Sequence, residues 1–508
     1  MAVKRQLIMT SGVKQKHPEY EERAPQWVRM RDAIAGQDVV KSKGKDYLPE
    51  LNANEDKDAY QTYLDNADYF NATGLTFEAF TGMIFRKSPQ IGDLTVEKVL
   101  EHQLLSNVDL EGRSAYEFTR DIVNEVNAVG RVGVLYDIPT AETTEMTISE
   151  KEQSGIRPYA KMYHAEAIIN WKFQNINGIN KPVMVNLRES VEQEDTDIFS
   201  HDTVYQYRVL RIMNGAYIQQ IYNHDEVLVD TIIDIRDNGV PFTHIPFVCI
   251  NSSHLGLSTK KPPLLDLADT NFSHYRASAS LGANIFMFSR ITPLFKVPHQ
   301  YWKEFIDHPK EFGVTKSIVI PTSKDGGDAD AGFLEPKSDF TPIVNHMDRL
   351  ETRMGAQGAR MLSGGKAGVE AAATVRLDMS GELSILSAIA DTISRGLGEI
   401  FSLLMGKPTE VNLNSDFTAA PMDAGLISSL LMALQAQRIS EDQFVDALIR
   451  GDAIKSENNI ITDTEFTPSP PTAEALGVPA ADGELKGRED NVKKKEPLSG
   501  PNGLENTD

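Results

Sequence analysis

The sequence has almost no cysteine: Cys249 is the only one among 508 residues. A disulfide framework within one chain is thereby excluded, and a reducing compartment suits it. Cys249 lies in the apolar run IPFVCI and reads as a small buried hydrophobe rather than a nucleophile. Positive charge is scarce too. The chain carries 51 Lys and Arg against 73 Asp and Glu, a formal net charge of −22. That excludes gripping nucleic acid through overall charge. It does not exclude an acidic wall past which DNA slides without sticking. No apolar run approaches the ~20 residues of a membrane span. The N-terminus MAVKRQLIMTSGVKQ lacks the apolar core of a signal peptide. The chain is therefore expected to be soluble, intracellular where it is made, and without a membrane partner.

Catalytic signatures are also missing. Histidines and acids occur (His224-Asp225, His244, His254, His274), but none belongs to an H-E-x-x-H or a nucleophile elbow. A hydrolase or protease is the competing reading from another class, and no enzyme activity, cofactor or metal is expected. What the chain does have is a globular composition, 41% hydrophobic and 24% charged. It is too long for one core, so several sub-domains are expected.

The stretch Lys261 to Arg290, KPPLLDLADTNFSHYRASASLGANIFMFSR, predicts one long helix that organises the rest. Pro262 and Pro263 suit its first turn. Leu265, Ala268, Phe272, Tyr275 and Ala279 form one apolar stripe. Asp266, Asp269, Ser273, Arg276 and Ser280 form a small polar face beside it.

Upstream, residues 1–57 read as an N-terminal arm that packs on something else, such as a neighbouring subunit. Trp27, Met30 and Ile34 line a short helix there, with Pro25 near its start and Gly36 as its stop. Residues 58–262 read as helices followed by an antiparallel sheet. Tyr60, Tyr63, Leu64, Ala67 and Phe70 make a first stripe, Asn71 to Gly74 a break, and Phe77, Phe80, Ile84 and Phe85 a second. Ser114 and Glu117 form an S-x-x-E capping box for a helix that runs to Gly130. The strand VGVLYDI follows, then an exposed polar loop over Ala141 to Gly155. TVYQYRVLRIM, Asn214-Gly215 and AYIQQIY spell a hairpin, and Asn177-Gly178 marks another tight turn.

Downstream, residues 291–340 read as a small α/β insertion with a core of Trp302, Phe305 and Phe312. It has a strand at Ser317 to Pro321, a turn at Asp325 to Asp328, and another strand beginning at Phe333-Leu334. A second long helix spans 341–361, with Pro342 in its first turn. Val344, Met347, Leu350, Met354 and Met361 share one side, and Gly355 and Gly358 flank them. The break at 362–369 holds Ser363, Gly364, Gly365, Lys366, Ala367 and Gly368. It fails the spacing of a phosphate loop and reads as a mobile loop with one positive charge. A third helix, 370–405, repeats Met379, Leu383, Leu386, Ile389, Ile393, Leu397, Ile400 and Leu404. Gly381, Gly396 and Gly398 are expected to weaken or kink it. Residues 406–465 read as more helix, with an amphipathic segment over Ala424 to Ala436 and a capping box at Ser440 to Gln443. Residues 466–508 are rich in Pro, Gly and charge and are expected to be disordered.

In this order the elements resemble the portal proteins of tailed bacteriophages. The segments that carry the resemblance are KPPLLDLADTNFSHYRASA, TPIVNHMDRLETRMGAQGARML, SGGKAG and EAAATVRLDMSGELSILSAIADTISRGL. KPPLLDLADTNFSHYR and FEAFTGMIFRKSP also resemble a portal-like subfamily of phages and prophages. The resemblance runs from about Ala67 to Gly451 and departs at the C-terminus, where there is no long heptad run above a crown. It implies an α+β, mainly helical portal fold. Residues 58–262 would be the wing, 263–290 and 341–361 the two-helix stem, and 291–340 the clip. Residues 362–369 would be the tunnel loop, 370–405 the tunnel helix and 406–465 the crown. It further implies a homo-oligomeric ring, usually dodecameric, at one capsid vertex of the virion, assembled in the host cytoplasm. Its partners would be the terminase large subunit, a head-tail adaptor, the major capsid or scaffold protein, and double-stranded DNA passing through the channel. By position, Lys366 would meet phosphate, and Arg349, Arg353 and Arg360 would give the stem a positive band. Another ring-forming tail or scaffold protein that passes no DNA remains the alternative.

Overall fold

The computed structural model describes residues 12–50, 57–92, 104–139, 157–192, 201–232, 236–237, 240–288, 292–301, 303, 311–312, 315–316, 318–322, 329–334, 339–358, 369–415, 417, 424–436, 438, 440 and 444. The fold is α+β, with more helix than strand.

Helix α1, Pro18–Ala35, starts earlier than Pro25 suggested. Pro18 occupies the first turn, and the His17 Nδ1 accepts from the Glu19 N–H at 3.3 Å. Pro25 sits inside the helix on its exposed side. Glu21, whose carbonyl Pro25 leaves without a donor, is an exposed residue, while Trp27 and Met30 further along are wholly buried. Their burial, worth about 2–3 kcal/mol each, outweighs the ~3 kcal/mol that an interior proline costs. Gly36 closes the helix at φ 92°, as its sequence position predicts. The described part of the arm packs on its own chain. Arg31 reaches Glu125 and Glu166 at 2.6 Å each, and α1 joins the core of its own chain.

A short α2, Gln37–Ser42, leads to α3, Lys57–Asp65, and α4, Ala72–Ile84. The break between α3 and α4 covers 66–71, and Asn71 is the residue that ends it by accepting from the Gly74 N–H at 2.9 Å. Phe70 therefore leaves the predicted stripe and is half exposed. Helix α5, Ala115–Val129, opens on the full Ser114–Glu117 capping box and stops at left-handed Gly130, as read from the sequence.

Next come the strands. Two-residue β1, Gln90–Ile91, is followed by β2, Arg131–Asp137, buried along its whole length, and β3, Tyr159–His164. A five-stranded antiparallel meander follows in sequence order: β4 Ile168–Ile176, β5 Ile179–Glu192, β6 Thr203–Met213, β7 Ala216–Tyr222 and β8 Leu228–Ile232. Its two Asn-Gly turns take positive φ at all four residues, the conformation that joins twisted strands in register. A small hairpin of β9, Arg236–Asp237, and β10, Val240–Pro241, precedes β11, Phe247–Asn251, which pairs with β2. Cys249 is buried on β11. The loop expected over Ala141 to Gly155 lies outside the described residues.

Helix α6, Leu265–Phe288, is the organising element. All five stripe residues are at most 4% exposed. The Tyr47 ring stacks on Phe272 at 4.2 Å. Buried Asn271 accepts from the Thr73 N–H and hydroxyl and donates to the Phe70 carbonyl, tying α6 to the start of α4. Pro262 and Pro263 stand just ahead of the helix rather than inside its first turn.

Candidate nucleic-acid interface

The chain beyond α6 changes character. A small mixed sheet is built on β12, Thr292–Val297, with β13 Glu311–Phe312 and β14 Thr315–Lys316 as a separate hairpin. β15, Ile318–Pro321, runs parallel to β12, and β16, Asp330–Leu334, runs antiparallel to it. Phe333-Leu334 thus ends a strand where the sequence suggested a beginning. The proposed core residues Trp302 and Phe305, the side chain of Phe312, and the turn at 325–328 lie outside the described set. Helix α7, Thr341–Ala356, returns along α6, with Pro342 in its first turn as expected. Hydrogen bonds from the Thr341 hydroxyl and N–H hold Asp339 below the usual carboxylate range at this entry.

Only Leu350 and Met354 of α7 are buried. Both belong to the predicted stripe, but Val344, nearer the start of the helix, is exposed. Apolar exposure recurs around this region: Ile285 on α6, Tyr301 after β12, Ile318 and Ile320 on β15, Val344 on α7. The sequence reading gave SIVIP only as a strand, and the run carries no mark of which side is exposed.

The basic residues separate. Arg349 and Arg353 are both exposed on α7, and the Arg349 Nε donates to the Asn345 carbonyl at 3.3 Å. Asp348 and Glu351 are exposed beside them. The described part of the band is therefore charge-balanced, and Glu351 is turned toward His274 of α6 at 3.2 Å. Arg360 and the loop Ser363, Gly364, Gly365, Lys366, Ala367 and Gly368 lie outside the described residues, as does Met361. The approach to that loop is described. Gly358 is buried at φ 123°, and a Cβ there would come within 3.3 Å of Thr76 on α4. The sequence marked this glycine as one that allows close approach on the flank of α7, and its contact with α4 is such an approach.

On the far side of the loop, α8, Val369–Met405, runs 37 residues without a break. Leu386, Ile389, Ile393, Leu397, Ile400 and Leu404 are all buried, as the repeat predicted. The helix runs through its three glycines without a break. Gly396 lets Ile250 of β11 approach to where a Cβ would meet it at 2.5 Å, and Gly398 faces the Thr409 carbonyl. Beyond α8, β17, Val411–Asn412, pairs with β1. Helix α9, Ala424–Gln435, leaves Leu431 and Met432 exposed. A cleft of about 1230 Å³ between α8 and β11 mixes Asp391, Glu399 and Glu410 with Arg395 and Lys407, so it favours ions of neither sign.

The histidines do not assemble. His224 lies in the β7–β8 turn beside Asp225, His244 stacks edge-on against Phe242, His254 follows β11, and His274 lies on α6. Among the described residues, no three His, Cys, Asp or Glu group as metal ligands, and no helix is long and apolar enough to cross a membrane.

Residues 263–405, from the entry to α6 through the end of α8, match a domain of unknown function, DUF4055. No curated protein matches the chain. Among solved structures it is similar to a chain from the neck of the empty gene transfer agent (GTA) particle computed with C6 symmetry. The TM-score is 0.36 at 13% identity, covering 74% of this chain and 89% of that one. The neck of the native GTA particle computed with C12 symmetry gives the same values. The virion of the native GTA particle contains a chain similar at TM-score 0.36 and 12% identity, over 82% of this chain and 98% of that one.

Proposed function

We propose that the chain is a subunit of a portal-type ring: a non-enzymatic virion component at the head-tail junction whose channel passes double-stranded DNA. One observation carries this reading. Two paired helices, α6 and α7, flank a small sheet whose strand β15 leaves Ile318 and Ile320 uncovered, and a 37-residue helix follows the next break. A monomeric protein gains nothing from Ile318, Ile320, Val344 and Ile285 in water. In a closed ring of identical subunits the same residues face a neighbour. Under this reading α6 and α7 form the stem and the β12–β15–β16 sheet the clip. Residues 362–369 form the constriction, with Lys366 as its phosphate contact. Terminase, an adaptor and the capsid or scaffold protein would dock around it.

The test is negative-stain electron microscopy with native mass measured on the same sample. Rings with a central channel and a mass near a dozen subunits are the expected result. Assemblies without a channel would favour the alternative of a ring or tail component that passes no DNA. A persistent monomer, with or without scaffold protein, would remove the ring altogether.

A further inference from the structure

Acids are spread along the chain, 73 of them in 508 residues, yet none occurs in 167–188 or in 203–224. These two segments hold β4, the first part of β5, β6 and β7. Their cations are Lys172, Lys181, Arg188, Arg208 and Arg211. Two of them are engaged within the sheet: Arg208 on Glu189, and Arg188 over the Tyr205 ring. The other three gather at one end of the meander, the end that holds both Asn-Gly turns. Lys172, Met184 and Arg211 form one row across β4, β5 and β6. Pro182, paired with Phe173, and Met213 continue that face toward the turns, with Lys181 beside them. Phe173 is 44% exposed, Met213 42%, and Ile179 at the start of β5 60%. Lys172 and Lys181 are exposed and form no ion pair among the described residues.

The opposite end carries the opposite sign. From 223 to 232 there is no Lys or Arg, while Asp225, Glu226 and Asp230 stand in the β7–β8 turn and on β8. Among the described residues, the ion pair these acids make is that of Asp225 with its neighbour His224. Val227, Leu228 and Val229 beside them are 57%, 45% and 65% exposed. No strand among the described residues pairs with the outer side of β8, and folded proteins seldom leave such an edge bare. The seven residues of β7 hold the two patches about 23 Å apart. One continuous hydrogen-bonded sheet joins them, so they cannot meet within a subunit.

We propose that the Asn-Gly end of the meander, at Lys172, Phe173, Lys181 and Met213, docks on the β8 edge of a second copy of the chain, at Asp225, Val229 and Asp230. Both sides match. Cations meet acids, and the exposed apolar side chains of each patch leave water. The two patches differ, so the contact is heterologous, and each docked subunit still offers one free patch of each sign. Such contacts repeat head to tail until a ring closes. DNA suits the basic end less well, because three cations give a weak phosphate grip and Phe173, Ile179 and Met213 gain nothing from phosphate. The assignment rests on the ring reading above and names one contact within it.

Two variants of the full chain test it. Lys172→Glu with Lys181→Glu makes both patches acidic, and Asp225→Lys with Asp230→Lys makes both basic. Each variant alone should need at least about tenfold more protein to assemble, read by native mass. An equimolar mixture should recover assembly, because each patch of one variant then finds its opposite on the other. Either variant assembling like the wild type overturns the proposal. So does a mixture that stays dissociated while both variants melt at the wild-type temperature. Wild-type assembly should also weaken severalfold between about 50 and about 500 mM salt, and indifference to salt overturns the contact even where a variant fails to fold. Rings unchanged in every variant would remove this contact and keep the ring. Open chains that respond to the variants would keep the contact and remove closure, and a wild-type monomer would remove both.

Discussion

Glu189 is the residue with the most concentrated surroundings. Its Oε1 accepts from the Tyr163 hydroxyl at 2.6 Å, the Lys161 ammonium at 3.0 Å and the Arg208 Nε at 3.0 Å; its Oε2 accepts from the Gln206 amide at 2.7 Å. Arg208 passes the connection on through Gln219 to Asp137. This group of charges fastens the β2–β3 sheet to the meander. Burial by itself would raise the Glu189 carboxyl, but Arg208 and Lys161 outweigh it and hold the group at about 2. A folded pKa below the unfolded value means stabilisation that is complete above about 4.5 and is lost as pH falls toward 2. Glu189→Gln should therefore lower stability at neutral pH by ~3 kcal/mol, because Lys161 and buried Arg208 lose the carboxylate they share and Arg208 keeps only the more distant Asp137, at 3.7 Å. It should also flatten the acid limb of the stability profile between those two pH values. Chemical denaturation across that range checks both parts, and an unchanged acid limb would detach the pH dependence from Glu189.

At the level of elements, the sequence was most legible where a local rule acts without help. The Ser114–Glu117 box, the Gly36 and Gly130 stops and the two Asn-Gly turns need only neighbouring residues, and each stands where it was read. The apolar stripes of α6 and α8 were legible for the same reason. Pro25 and the α8 glycines misled because their meaning is set by partners far along the chain. Pro25 is tolerated because the rest of α1 is held by Trp27 and Met30. Gly396 is required because Ile250, almost 150 residues upstream in sequence, packs against its Cα. A consequence distinguishes contact from propensity. Gly396→Ala should favour an isolated helix by about 1 kcal/mol. In this fold it should instead destabilise by ~1–3 kcal/mol, since the new methyl would sit 2.5 Å from Ile250 and 3.1 Å from Leu255. Thermal melts of the variant alone and paired with Ile250→Val check this. Partial recovery in the double variant would locate the cost at that contact, while a variant as stable as the parent would return Gly396 to a mere weak point.

The whole molecule poses a question of charge. A formal −22 on a chain proposed to pass DNA looks contradictory only if every charge acts at every distance. At physiological salt the field of exposed charges is screened beyond about 8 Å, so a channel responds to the side chains that line it. On α7 the described lining candidates are Arg349 and Arg353, each next to an acid, one of which is engaged with His274. Neither arginine contributes to the core, so Arg349→Glu with Arg353→Glu should leave subunit stability, ring mass and ring shape unchanged. If α7 faces passing DNA, the same change puts four acids where two acids and two bases stood, and repulsion should lower the yield of DNA-filled particles on the order of tenfold. Filled and empty particles counted by electron microscopy, with ring mass measured in parallel, separate the outcomes. Intact rings with few filled particles would place α7 on the channel wall. Intact rings with a normal yield would turn its arginines toward a neighbouring subunit or solvent, and would leave the loop at 362–369 as the contact with phosphate.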